Sequence, residues 1–200
     1  MRKISAGEEI IILRVISGEA GGLQLKTVKG TSTRPTSDKV KGALFNIIAG
    51  YLGGSEVLDI FAGTGSLGIE ALSRGAEHAV FFDKSPESCS VIRDNLAHTK
   101  LAGRAEVYQT DFASGIERLF RDRRKFDIIL LDPPYNKKFI QESLKLLTKN
   151  DIMKDEGMVV AEHSISDALP EAFEGLKAVD TRKYGDTMLT IYIQDGNRNK

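Results

Sequence analysis

Apolar runs alternate with segments of helical periodicity through most of this chain, and four of the runs end at or close to an aspartate. The aspartates are Asp59, Asp83, Asp111 and Asp132. Alternating strands and helices predict a parallel sheet with crossover helices. Such sheets bind ligands outside the carboxyl ends of their strands. The order therefore predicts an α/β fold with a site lined by acidic side chains.

The two ends of the chain depart from this alternation. Near the start, two short strands are expected around a glycine-rich turn, followed by a helix that begins after a Thr36 or Ser37 cap. Near the end, two strands around Tyr184-Gly185-Asp186 predict an antiparallel pair. The expected strands are Leu13–Ile16, Gly22–Val28, Val57–Phe61, Ala79–Asp83, Ala105–Thr110, Phe126–Leu131, Met158–Glu162, Leu176–Lys183 and Thr187–Gln194. The expected helices between the central strands are Leu67–Arg74, Pro86–Leu101, Ser114–Phe120 and Phe139–Thr148.

The glycine loop after the first central strand fits two ligands. Gly63, Gly65 and Gly68 match G-x-G-x-x-G, and Asp83 follows at the distance that a dinucleotide fingerprint requires. Asp59 argues against a dinucleotide, because it would repel the pyrophosphate by about 4 kcal/mol at an effective dielectric of 20. S-adenosylmethionine has no phosphate and carries an ammonium and a sulfonium, which a carboxylate attracts. The methyl donor is therefore favoured over a nicotinamide cofactor.

The remaining donor contacts are expected at the ends of the next two strands. Asp83, with Lys84 beside it, would accept hydrogen bonds from the ribose hydroxyls. Asp111 would flank the adenine, with Phe112 available for packing. For Asp111, a cap of the following helix is a nearly equal alternative.

The tetrapeptide Asp132-Pro133-Pro134-Tyr135 closes the apolar run Phe126–Leu131. Two consecutive prolines restrict φ and donate no ladder hydrogen bonds, so they predict a stiff loop with outward carbonyls. An acid, carbonyls and an aromatic ring on one loop suit a planar base whose exocyclic amine is modified. A strand-ending turn with a capping aspartate is the alternative.

Composition sets the remaining limits. The 200 residues allow one ordinary domain, and the single cysteine, Cys89, excludes an internal disulfide. We expect a cytoplasmic protein, since no apolar run could span a membrane and no signal-peptide pattern is present. The three histidines lack metal-ligand spacing, so no metal is expected. Net charge is zero, yet residues 1–45 hold eight Lys and Arg against four acids, which favours a local phosphate-binding patch there.

Several segments together resemble one family, the bacterial 16S ribosomal RNA guanine-N2 methyltransferases of the RsmD type. The glycine loop alone is shared with many methyltransferases, whereas the Arg-Pro-Thr preface and the closing Tyr-Gly-Asp-Thr are more particular. The matching segments are Arg14-Val15-Ile16-Ser17-Gly18, Arg34-Pro35-Thr36, Leu44-Phe45-Asn46, residues 59–76, Asp132-Pro133-Pro134-Tyr135 and Tyr184-Gly185-Asp186-Thr187.

The resemblance implies a class I, Rossmann-like methyltransferase fold that uses S-adenosyl-L-methionine to methylate a guanine of 16S rRNA. Its substrate would be the small subunit or a late assembly particle. A monomer is the default expectation for the oligomeric state. Residues 1–53 would form an RNA-contacting preface and residues 54–200 the methyltransferase domain. The implied catalytic residues are Asp132, Pro133, Pro134 and Tyr135. The implied donor site comprises Asp59, Phe61, Gly63, Gly65, Asp83, Lys84, Asp111 and Phe112. The implied RNA contacts are Arg14, Arg34, Lys39 and Lys41, supported by Lys26 and Lys29.

Two features depart from the family pattern. Gly21-Gly22-Leu23-Gln24 stands where the family often has arginines after the first turn. Family members also tend to begin with Met at the position of Leu13, so residues 1–12 are interpreted as an upstream extension. Intact mass from the native host tests that interpretation.

Three other functions stay open on the sequence. The Asp-Pro-Pro-Tyr loop serves any exocyclic amine, so an adenine-N6 DNA methyltransferase is the nearest alternative. The glycine fingerprint keeps an NAD-dependent oxidoreductase in view. A non-catalytic assembly factor that binds the donor is the third.

Overall fold

The computed structural model describes residues 13–28, 37–134, 138–167 and 169–195. Within these ranges, eight strands form one sheet in the order β3-β2-β1-β4-β5-β8-β7-β6. The strands are β1 Glu56–Asp59, β2 His78–Asp83, β3 Ala105–Gln109, β4 Phe126–Leu131, β5 Met153–Ser164, β6 Ala172–Phe173, β7 Leu176–Tyr184 and β8 Thr187–Gln194. The helices are α1 Asp38–Ile47, α2 Ser66–Ser73, α3 Pro86–His98, α4 Phe112–Arg121 and α5 Phe139–Lys149, with single 3₁₀ turns at Ala49–Tyr51 and Ala102–Arg104.

The central strands β1 to β5 pair in parallel, and β8, β7 and β6 add antiparallel neighbours. The predicted α/β class with an antiparallel C-terminal pair is thereby confirmed. β1 lies between β2 and β4, so the strand order reverses direction at β1. A crevice outside the carboxyl ends of the strands is expected at such a reversal.

Alternate residues of the central strands face two separate cores. Val57, Phe81 and Leu130 pack with α1, α2 and α3 on one face. Leu58 and Phe82 pack with α4 and α5 on the other face. Both faces are therefore buried, which explains why these strands are continuous apolar runs in the sequence.

The N-terminal segment 13–28 packs on the first of these cores. Val15 and Leu25 are buried in the same cluster as residues of α2. Two short strands were predicted here, but the only bridge in this segment joins Arg14 and Gln24. The ladder is short because the N–H groups of Ile16 and Ser17 donate to the Glu70 carboxylate rather than across the pair.

Several element boundaries differ from the predicted ones for local reasons. α4 begins at Phe112 rather than Ser114, because the Asp111 side chain accepts hydrogen bonds from the N–H groups of Ala113 and Ser114. β5 begins at Met153, five residues before the predicted start, where it pairs with Phe126. The two-residue strand β6 was not predicted. Ser37 is the cap of α1, and the alternative Thr36 lies outside the described residues.

Candidate functional site

The carboxyl edge of the parallel strands brings together the four acids that the sequence singles out. Asp59 ends β1, and Asp83 ends β2. Asp111 follows β3 and caps α4, while Asp132 follows β4. Since β1 has β2 and β4 as neighbours, Asp59 lies between the strand ends that carry Asp83 and Asp132. All four lie where an open α/β sheet binds its ligand.

The glycine loop links β1 to α2 and turns sharply. Gly65 has φ 78°, in the left-handed region where a side chain is disfavoured, and it stands at the cap position of α2. Its N–H donates to the Ala62 carbonyl at 2.6 Å, and the Ala62 N–H donates to the Phe82 carbonyl at 2.9 Å. Gly68 permits close packing, because a Cβ there would lie 2.3 Å from the Phe81 ring. The loop therefore approaches β2 closely, with Gly63 and Thr64 half-buried at its turn.

Asp59 is the most perturbed acid of this edge. Its side chain is 1% exposed, and its Oδ2 accepts a hydrogen bond from the Gly68 N–H at 3.0 Å. Its Oδ1 is buried and has no hydrogen-bond partner among the described residues. Burial is the main cause that raises the pKa of Asp59 to about 7, and the nearby Asp132 and Asp83 carboxylates add to it. A bound cation would relieve both effects, so the residues fit an ammonium- and sulfonium-bearing donor.

Asp83 ties the glycine loop to β2. Its Oδ2 accepts a hydrogen bond from the Gly63 N–H at 2.9 Å, and its Oδ1 accepts one from the Ser85 N–H at 2.8 Å. Each carboxylate oxygen has a second lone pair, so Asp83 can still accept from ribose hydroxyls. Lys84 beside it is exposed.

Asp111 acts as a helix cap in this structure. Its Oδ1 accepts from the Ala113 and Ser114 N–H groups at 3.0 Å each, and its Oδ2 accepts from the Ser114 hydroxyl at 2.8 Å. These bonds, those of Ser114 first, hold the pKa of Asp111 below its usual value. The capping alternative is thus observed, while adenine contact stays a prediction.

Three half-buried aromatic rings meet beside these acids. Phe61 follows β1, Phe112 begins α4 and Phe139 begins α5, and their ring centroids are 5.5 to 5.8 Å apart. Phe61 and Phe112 were predicted as donor contacts, and the structure brings them together. Phe139 was not predicted. Its position at the first residue of the helix that follows the Asp-Pro-Pro loop could have indicated that it lies near the site.

The acceptor loop follows β4 directly. Asp132 is half-buried, Pro133 is buried and Pro134 is exposed. Tyr135, predicted to contact the base, lies outside the described residues. The Asp132 carboxylate contributes to the raised pKa of Asp59, so this loop lies close to the end of β1.

The predicted RNA contacts fall into three groups. Arg14 and Lys39 are exposed, with Arg14 paired to Asp38 at 2.8 Å. Arg34 lies outside the described residues, as does Lys29. The prediction for Lys41 is wrong, because its side chain is 0% exposed and cannot reach a phosphate. Its Nζ donates to the Arg14 carbonyl at 2.5 Å and lies 4.0 Å from Glu70, and burial lowers its pKa.

A buried polar network that sequence reasoning missed fastens the N-terminal segment to α2 and α3. Glu70 accepts hydrogen bonds from the Ile16 and Ser17 N–H groups at 2.6 and 3.0 Å. The Ser73 hydroxyl donates to the Ser17 carbonyl and accepts from the Ala20 N–H. Glu70 stands within the apolar stretch Leu67–Leu72 and was the visible signal, because a charge at such a position needs partners.

The described residues contain neither a candidate metal centre nor a helix that could cross a membrane. No group of three or more His, Cys, Asp or Glu side chains among them could hold a metal ion. No helix among them is both long and apolar enough to cross a membrane.

Comparisons with known proteins agree with this geometry. A family model described as "Conserved hypothetical protein 95" matches residues 13–193. The Bacillus subtilis protein YlbH is provisionally named an rRNA methyltransferase. It is 41% identical to this chain over 92% of this chain's length and 100% of its own length. Ribosomal RNA small subunit methyltransferase D of Escherichia coli is 33% identical over 79% of this chain and 78% of its own.

Solved structures show the same likeness. The Escherichia coli methyltransferase yhhF, also provisionally named, superposes with a TM-score of 0.80 at 27% identity, over 93% of this chain and 99% of its own. A Thermus protein, TTHA0928, superposes with a TM-score of 0.78 at 26% identity, over 92% and 99%.

The sheet order, the glycine loop and the acids at its edge define a class I methyltransferase with a Rossmann-like fold, whose methyl donor is S-adenosylmethionine. Within that class, the chain belongs to the family of "Conserved hypothetical protein 95". The prediction from the sequence that it is a member of the RsmD type is confirmed.

Proposed function

We propose that this protein methylates the exocyclic N2 amine of a guanine in 16S rRNA, on the small subunit or a late assembly particle. One observation carries the proposal: the Asp132-Pro133-Pro134 loop follows β4 directly beside β1, whose end carries Asp59 and the glycine loop. A group that grips an exocyclic amine is therefore next to the donor site. The names of the relatives, which specify ribosomal RNA and the small subunit, support the choice of substrate.

The donor would be held by the glycine loop and the acids of the first two strands. Asp59 would balance its positive charge, Asp83 would accept the ribose hydroxyls, and Phe61 with Phe112 would pack on the adenine side. When bound, S-adenosylmethionine supplies an electrophilic methyl group. Loop, strand ends and rings belong to one rigid sheet edge, so the site is organised before the donor arrives.

The acceptor amine would be held by two hydrogen bonds. The Asp132 carboxylate would accept one N–H and the Pro133 carbonyl the other. A guanine N2 lone pair is delocalised into the ring, and two acceptors would favour the pyramidal amine that attacks. Positioning in line with the methyl group would provide most of the acceleration, since effective molarities reach about 10⁵ M or more. The proton becomes acidic after transfer, so Asp132 need not be a strong base.

Substrate RNA would be held outside the donor site. Tyr135 would stack on the extruded base and contribute about 1–3 kcal/mol. Arg14 and Lys26 present exposed cations on the N-terminal segment and Lys39 presents one on α1, and Arg34 would join them. The ion pairs of Arg14 with Asp38 and of Lys26 with Asp94 are exposed and weak, so both cations can exchange to phosphates. We assign RNA contact to residues 1–53 and catalysis to residues 54–200, with the enzyme acting as a cytoplasmic monomer on ribosomal particles.

The test is transfer of tritiated methyl groups to small subunits from a strain lacking the gene. Naked 16S RNA and duplex DNA serve as parallel substrates, and the labelled nucleoside is identified by chromatography. We expect N2-methylguanosine formed on the particle. Label only in DNA as N6-methyladenine would replace the proposal with a DNA methyltransferase. No label in any substrate, with the donor still bound, would replace it with a non-catalytic assembly factor.

A further inference from the structure

Asn95 connects the N-terminal segment to the glycine loop from inside the protein. Its side chain is 0% exposed. The Oδ1 atom accepts a hydrogen bond from the Lys26 N–H at 2.8 Å. The Nδ2 group donates to the Lys26 carbonyl at 3.1 Å and to the Thr64 carbonyl at 2.9 Å. One amide thus holds a residue of the RNA-contacting segment and a residue of the donor loop.

We propose that Asn95 is a positioning residue that couples these two segments, so that donor binding at the glycine loop orders the backbone at Lys26 and the reverse. Coupling between two sites is reciprocal in free energy. The statement that Lys26 belongs to an RNA-contacting segment rests on the proposed function. The coupling of donor binding to the Lys26 backbone does not rest on it.

The chemistry of the three bonds restricts this position to an amide. Only one orientation of the Asn95 side chain lets an oxygen face the Lys26 N–H while a nitrogen faces the two carbonyls. An aspartate would keep the first bond and set a carboxylate oxygen against both carbonyls. Loss of the amide would remove a hydrogen bond from each of three part-buried backbone groups, which is costly.

The two connected segments are otherwise attached to different parts of the molecule. The Gly63 N–H, next to Thr64, is held by Asp83 at the end of β2. Within the described part of the chain, Lys26 has one further polar contact, an exposed pair between its Nζ and Asp94 at 2.8 Å. The neighbouring Leu25 N–H donates to the Leu13 carbonyl at 2.8 Å, whereas the two backbone hydrogen bonds of Lys26 itself run to Asn95. A change of the Thr64 carbonyl on donor binding would therefore reach the Lys26 backbone through this one side chain.

A purely structural role for Asn95 is the alternative. Ile92 and Leu96 on the same helix are buried in the core and pack α3 against the sheet without Asn95. A structural role predicts lower stability in Asn95 variants without any link between donor and Lys26. The two explanations separate in an experiment that measures the link directly.

Hydrogen exchange of peptides covering residues 24–28 is measured by mass spectrometry with and without S-adenosylhomocysteine, and the Kd of that product is measured by calorimetry. Asn95→Asp and Asn95→Ala are compared with wild type, well below the melting temperature of each. Asp94→Asn is the matched control, because it removes the exposed Lys26 pair from the same helix and leaves the buried bonds intact.

In wild type, the product should slow exchange at Lys26 several-fold. Both Asn95 variants should lose this response and bind the product roughly tenfold more weakly. Asp94→Asn should match wild type in both measurements. If the product does not change the exchange rate at Lys26 in wild type, the coupling is refuted. This measurement uses wild type alone, so it does not depend on the folding of any variant. An unaltered response in Asn95→Asp would overturn it as well. A coupled protein that fails to methylate small subunits would refute the proposed function alone.

Discussion

The buried carboxylate of Asp59 should make donor binding depend on pH around neutrality. The pKa of Asp59 rises from 3.8 to about 7, mainly through burial and then through Asp132 and Asp83. That rise corresponds to about 4 kcal/mol of bias against the ionised form. The pKa of Asp59 is higher in the folded protein than in the unfolded chain, so its protonated form favours the ligand-free fold. This contribution to the free energy of unfolding is complete below the unfolded pKa. That contribution is lost as pH rises through about 7.

The cationic donor reverses this preference, because it favours ionised Asp59. Below pH 7 the donor must displace a proton before it gains the ion pair. S-adenosylmethionine should therefore bind roughly tenfold more weakly at pH 6 than at pH 8 if Asp59 is fully ionised in the complex. Asp59→Asn should bind more weakly at pH 8 and lose this dependence, since its amide does not titrate.

Calorimetry of S-adenosylmethionine binding, without RNA, measures this effect. Titrations at matched pH in two buffers of different ionisation enthalpy give the number of protons released on binding. Near pH 7, wild type should release about half a proton more than Asp59→Asn. The donor's own amino group titrates in both proteins, so Asp59→Asn serves as its control. Equal pH dependence in the two proteins would show that Asp59 does not pair with the donor.

Four further substitutions, the last of them a control for the third, test three separate parts of the molecule. Asp132→Asn should bind the donor within about twofold of wild type and lose methyl transfer by roughly 100-fold, because the amine is no longer held in line; unchanged turnover would refute its role. Lys41→Met should lower the free energy of unfolding by about 3–5 kcal/mol in urea, because Glu70 loses a buried counter-charge. A loss below about 1 kcal/mol would show that Arg74 alone satisfies Glu70. Gly68→Ala should cost about 1–3 kcal/mol through its clash with a buried ring, whereas Gly42→Ala in α1, with open space around it, should stabilise by about 0.5–1 kcal/mol. Equal effects of the two alanines would contradict the packing at α2.

The fold of the central sheet was accessible from the sequence because its signals are local. Phe126–Leu131 is a strand with the predicted bounds, as is Thr187–Gln194. Both faces of the parallel strands are buried, so each strand is a continuous apolar run. The first half of β5, Met153–Gly157, carries three charged residues in five and was missed, because its pairing with β4 depends on a neighbour far away in the chain.

The position of the candidate site could also be predicted from the sequence. The order of acids at strand ends is local information, and parallel topology places them at one edge. The sequence predicted two alternative roles for Asp111, and the helix cap that is observed was one of them. The assignment of Lys41 to RNA failed because a lysine in a basic stretch predicts exposure, and only the packing of residues 13–28 on α2 buries it.

The sequence by itself determined the class of fold, the edge of the sheet where we propose that the ligands bind, and the residue types that line that edge. These follow from periodicity and from turn chemistry, which act over a few residues. Tertiary structure alone decided that Asp59 is buried with one oxygen that no described residue hydrogen-bonds, that Lys41 lies beside Glu70, and that Asn95 joins Lys26 to Thr64. Burial and long-range hydrogen bonds depend on which distant segments meet, and no local pattern in the chain records those meetings.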